Sequence, residues 1–154
     1  MPFATPDDAA RWITETASAF MQGAGNDLHM PEGPEPAFAL PLLGFASGAD
    51  PVWNAFKEHV GAFHWTPAEA FALAYPGETV DAAELSVASW ILPQTEATRR
   101  DNRKEKKLPA HRWARARIFG EHVNRDLRAH MVERLRERGI QAAAPSLLPE
   151  WKSF

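Results

Sequence analysis

The sequence predicts an α+β fold, or an open α/β one, built as a small sheet of few strands flanked by helices. Three observations carry that expectation. Apolar residues recur at helical spacing near the start of the chain and again over residues 109–139. Between them, Glu-Leu-Ser-Val-Ala-Ser-Trp-Ile-Leu (84–92) is apolar on both alternating faces, the pattern of a central strand covered on two sides. Cap-and-proline signatures recur at the predicted helix starts.

Thr5-Pro6-Asp7-Asp8 supplies an N-cap, a proline at the first helical position and a carboxylate at the third. Ala9, Trp12, Ile13, Ala17 and Phe20 follow at helical spacing until Gly23 and Gly25 end the helix. Residues 26–37 read as a loop, because Pro31, Gly33, Pro34 and Pro36 disfavour regular pairing. Residues 37–50 read as an edge strand, since Pro41 lacks a ladder donor. Asp50-Pro51 starts a second helix, and Thr66-Pro67-Ala68-Glu69 starts a third that Pro76-Gly77 ends. After the strand at 84–92 a basic loop follows. A long helix then runs from Pro109 towards Gly139, with Trp113, Ala116, Gly120, Val123, Leu127, Met131 and Leu135 as its apolar stripe. Residues 140–151 read as a short strand entering a loop.

At 154 residues the chain fits one domain spanning 1–154 with a real core. The absence of a span-length apolar run and of a leader pattern argues for a cytoplasmic protein with no membrane partner. Zero cysteines exclude disulfides, thiolate zinc sites and iron–sulfur ligation by this chain. The net charge of −3 hides an asymmetry. Residues 1–98 carry two basic side chains against thirteen acidic ones, and residues 99–154 carry fifteen against seven. Either the two halves attract each other within the fold, the favoured expectation, or the second half meets an anionic partner.

Arg99, Arg100, Arg103, Lys104, Lys106 and Lys107 fall within nine residues, and Arg112, Arg115 and Arg117 follow on the helix. The planar fork of arginine matches phosphate or carboxylate, which makes this cluster a candidate anion site; the plainer alternative is a solvated surface loop. The six histidines lack ligand spacing, so no metal site is expected, and no nucleophile elbow or phosphate-binding glycine loop is present. No catalytic residue is assigned. Trp12, Trp90 and Trp113 sit at apolar-face positions and are expected in the core, whereas Trp151 is expected at a partner interface.

The segments "ASWILPQT", "RWARARIFGEHVNRDLRAHMVERLRERG" and "QAAAPSLLPEW" together resemble the N-terminal part of epoxyqueuosine reductase-like, 4Fe-4S ferredoxin-type proteins. These are corrinoid and iron–sulfur oxidoreductases related to reductive dehalogenases. The resemblance covers roughly residues 38–154 and is strongest from 84 onward. It implies that the chain is the N-terminal part of a larger tRNA-modification-type oxidoreductase. Cobalamin and 4Fe-4S clusters would belong to the full-length protein, and none would be bound by this chain alone. The C-terminal iron–sulfur half would be its partner, covering Trp151, Leu147 and Leu148; a homodimer through the same surface is the alternative. Arg99, Arg100, Arg103, Lys104, Arg117 and Asn124 would contact phosphate of tRNA, of the cobalamin tail or of another anion. The sequence departs from the family where Asp-Tyr-His is replaced by His122, Val123 and Asn124, and where alanines 142–144 stand in place of a catalytic Asp. Two other functions stay open: a nucleic-acid or anionic-partner module using residues 99–117, and a purely structural interaction domain.

Overall fold

The computed structural model describes residues 3–152. It contains five α-helices, α1 (Pro6–Gln22), α2 (Val52–His59), α3 (Pro67–Ala74), α4 (Glu96–Lys104) and α5 (His111–Glu137), and two strands, β1 (Leu42–Ser47) and β2 (Ser86–Ile91). The architecture is α+β, as the sequence predicts.

The predicted caps form. Thr5 accepts from the N–H of Asp8 at the start of α1, and Thr66 and Glu69 close a reciprocal capping box on α3. The predicted long helix is α5, continuous through Gly120. Ala116, Gly120, Val123, Leu127 and Met131 are buried along it. They pack against Ala17 and Met21 of α1, and two residues of the loop between α1 and β1, Leu28 and Ala37, complete the core. Trp113 is the exception on the predicted stripe. It is 36% exposed, lies in the first turn of α5 and is not part of the core cluster.

The strands give the first correction. β2 is not a central strand covered on both sides: it pairs only with β1, antiparallel, from Leu42–Ile91 to Ser47–Ser86. Leu43 and Trp90 face the core, whereas the paired Leu42 and Ile91 are 62% and 67% exposed. An apolar run on both faces of a strand therefore marks an open sheet here. Beyond Leu42–Ile91 the ladder resumes at an isolated bridge between Phe38 and Gln94, with one extra residue on the first strand. That bulge bends the chain around the end of β2 towards α5.

Two further expectations fail. The basic segment after β2 is helical, not a loop, over Glu96–Lys104. Thr95 caps α4 by accepting from the N–H of Thr98, and Glu96 pairs with Arg99 and Arg103 one and two turns on. Residues 140–151 form no strand. They run extended into a single 3-10 turn at Pro145–Leu147. The phenol of Tyr75 replaces a ladder there: it donates to the carbonyl of Ala142 at 2.9 Å and accepts from its N–H at 2.9 Å. Arg136 adds a bond to the same phenol at 3.2 Å, which fastens the tail to the end of α3.

Candidate functional site

The structure divides the predicted anion site rather than assembling it. Arg99 and Arg103 turn back onto Glu96 at 2.8 and 3.1 Å, and Lys104 stands 4.0 Å from Asp101. Arg100, Lys106 and Lys107 are exposed and make no ion pair among the described residues. Arg112 and Arg115 serve the fold itself. The guanidinium of Arg112 donates to Glu35 at 2.6 Å and also to Asp101, and these hydrogen bonds, that to Glu35 foremost, raise its pKa above the ordinary arginine value. Arg115 donates to the carbonyls of Leu28 and His29 and lies over the ring of Phe119 at 5.0 Å. Both arginines therefore clamp the loop after α1 onto α5.

The two halves of opposite charge do not face each other broadly. Arg112–Glu35 is the one ion pair among the described residues that joins distant parts of the two halves; Glu96 pairs with its own helix. The favoured intramolecular reading of the charge asymmetry thus accounts for a single clamp. Most of the cationic surface of α4 and its following residues is left facing outward.

Two clefts flank α5. The larger, about 520 Å³, lies between the turn at Met30–Gly33 and the α4–α5 junction, and Lys104 lines it with Glu32, Glu105 and His111. The smaller, about 220 Å³, lies where the end of β2 meets α5 and gathers Arg117 and Asn124 of the predicted set. Arg99, Arg100 and Arg103 line neither. The carboxyl end of a strand marks a ligand site in open parallel sheets, not in an antiparallel pair such as this one. The bulge and Gly120 make this cleft instead.

Around Arg117 and Asn124 the smaller cleft is completed by Phe38, Trp90, Gln94 and Gly120, which the sequence assigns to no site. Trp90 donates its indole N–H to Asn124 Oδ1 at 3.0 Å, which orients the amide and leaves its Nδ2 hydrogens for other acceptors. Phe38 rests on Gly120, where an added Cβ would come within 2.6 Å of its Cζ. Buried Asn26 fixes the backbone of Phe38 from both sides, accepting from its N–H at 3.0 Å and donating to its carbonyl at 2.8 Å. Gln94 lines the cleft, and its Oε1 is enclosed with no hydrogen-bond partner among the described residues. Arg117 is exposed at the rim, while Glu121 is held by Arg128 at 3.0 Å. The one signal in the sequence was Gly120, a glycine within an apolar helical stripe, which points either to a closely packed neighbouring backbone or to a break in the helix; the structure shows a side chain, the Phe38 ring, packed there.

A second feature missed by the sequence reading is the turn at Asp27–His29. His29 has a left-handed backbone, φ 52°, although it is not glycine. Asp27 holds it there by accepting from the N–H groups of Glu35 at 3.0 Å and His29 at 2.9 Å. Those two bonds, that from Glu35 foremost, outweigh desolvation and hold the Asp27 carboxyl below the usual range.

Among the described residues no group of three His, Asp or Glu side chains is placed to hold a metal ion, and no helix is long and apolar enough to cross a membrane. Trp151 is 48% exposed and edge-on to Trp65, with centroids 5.9 Å apart; Leu147 is exposed beside it and Leu148 half-buried. Compared with protein-family models, with curated proteins and with solved structures, the chain matches none.

Proposed function

We propose that this chain is the N-terminal domain of an epoxyqueuosine reductase-like corrinoid and iron–sulfur oxidoreductase, contributing a cofactor- or substrate-binding surface. The observation that carries the reading is the convergence of Arg117, Asn124 and Gln94 on one cleft, lined, apart from Phe38, by two of the segments that carry the sequence resemblance. The cleft offers guanidinium and amide donors beside the Trp90 ring, a donor set that suits the amide and phosphate groups of a corrinoid. With no cysteine, the chain does not fit an iron–sulfur cluster, so electron delivery would fall to another polypeptide segment. The open sheet face with Leu42 and Ile91, and the exposed Trp151 and Leu147, support the expectation of a covering iron–sulfur half. Hydroxocobalamin titrated into the purified chain at low ionic strength, followed by visible absorption, should give saturable binding that Arg117→Ala weakens. No spectral change with the chain, and none with a polypeptide extended to include the covering half, would remove the cofactor reading.

One observation favours a second reading. Arg100, Lys106 and Lys107 lie unpaired on and after α4, a surface suited to the phosphate backbone of tRNA or another polyanion. That reading expects tRNA affinity to fall steeply between ~50 and ~200 mM salt. A flat salt response would exclude phosphate contacts as its basis.

A further inference from the structure

We infer that Phe38 is the specificity-determining wall of the β2–α5 cleft, and that the cleft takes a single aromatic, ring-sized group whose acceptor atoms face Arg117 and Asn124. The inference rests on the reading of this cleft as the binding site and adds what fits there and which residue decides it.

Size comes first. At about 220 Å³ the cleft is only moderately larger than a ~150 Å³ cavity known to hold one benzene ring. A one- or two-ring group fits inside, so of a larger ligand only one such group enters while the rest stays outside. Chemistry comes second. The lining joins the rings of Phe38 and Trp90 and the side chain of Leu92 to the donors of Arg117 and Asn124. Because Asn124 Oδ1 is already engaged by Trp90, the amide meets a ligand as a donor.

The wall cannot slide as a unit. The backbone of Phe38 is held by the two bonds to Asn26, and its neighbour Ala39 donates to the carbonyl of Pro93 at 2.9 Å. The ring, by contrast, is seated on the bare Cα of Gly120. A methyl group there would fall 2.6 Å from Cζ and 3.0 Å from Cε2. With the main chain clamped, such a clash is relieved by rotation of the ring, and the cleft changes shape while its polar groups stay in place. Gly120 and Asn26 are thus positioning residues, acting on a ligand through Phe38.

The test uses the full chain and a probe independent of any cofactor. Benzoate, a single ring with an anionic acceptor, is titrated while the indole N–H signals of the tryptophans are followed by ¹H–¹⁵N NMR, with Trp90→Phe assigning one of them. Benzoate should move the Trp90 signal. Gly120→Ala should weaken that response roughly tenfold, the scale on which small steric changes act in a binding pocket. The double variant Phe38→Leu, Gly120→Ala, which removes the clashing ring edge, should recover it. A shift confined to Trp65 and Trp151, an unchanged affinity in Gly120→Ala, or no recovery in the double variant while both variants unfold at wild-type temperature, overturns the inference. Benzoate binding without cobalamin binding would sink the cofactor reading and leave this one standing. Cobalamin binding indifferent to Gly120→Ala would do the reverse.

Discussion

Asn26 shows how one residue can decide a site some distance along the chain. Its side chain makes three hydrogen bonds, to the carbonyl of Met21 and to both backbone groups of Phe38, and it is almost wholly buried. Replacing it with alanine strands those groups inside the protein, so Asn26→Ala should cost about 2 kcal/mol or more in urea unfolding. A loss within a few tenths of a kcal/mol would show that water takes over the bonds. Asp27, next in sequence, carries a pH signature. Its carboxyl is depressed below the ordinary 3.8, so its contribution is fully present above that value and is lost as pH falls through the lower folded-state value. The stability gap between wild type and Asp27→Asn should therefore be visible at neutral pH and close on acidification below that value. A gap independent of pH would mean that geometry, not charge, holds the turn. Neither residue was legible in the sequence. Both bond backbone groups whose positions exist only once the loop is folded, and a loop rich in proline announces its breaks but not its anchors.

Local chemistry made most helices readable. Thr5-Pro6 and Thr66-Pro67 carry their caps within four residues, and α5 carries five buried positions on one stripe. Charge density makes the basic segment read as a loop, yet its helix signals are present: Thr95 is followed at three residues by the N–H it accepts, and Glu96 by two arginines at helical spacing. The strand was found but its covering was not, since a run apolar on both faces does not reveal how many neighbours it has. The tail failed as a strand for another reason: Tyr75 lies 67 residues from the Ala142 groups it satisfies. At this scale α4 offers a test. Glu96→Gln releases Arg99 and Arg103, so the salt dependence of tRNA binding should steepen by up to two phosphate contacts while α4 loses a few tenths of a kcal/mol. An unchanged slope in fluorescence anisotropy would take α4 out of the second reading.

Across the whole molecule, the core and the proposed binding cleft lie in different parts. The core joins α1, α5 and the loop between α1 and β1, and Leu127 lies at its centre with no exposure. Leu127→Ala should cost about 2–5 kcal/mol by calorimetry or denaturant, since α1 and α5 are fixed on both sides and collapse little into the void. The sheet contributes less to that core: only Leu43 and Trp90 among its residues pack against it, and its other face stays open. Yet the end of β2 and the bulge opposite it shape the cleft, so the least covered element lines the proposed binding surface. Charge asymmetry, the clearest whole-chain signal in the sequence, proved a guide to surface rather than to folding, because one clamp at Arg112 accounts for the long-range pairing.

The measurement that bears most directly on the account is residue-level mapping of hydroxocobalamin on the ¹⁵N-labelled chain by NMR. The Trp90 indole and the Asn124 side-chain amide should shift together and saturate together, with Arg117→Ala weakening both. Saturable shifts confined to α4, or to the face around Trp65 and Trp151, would contradict it.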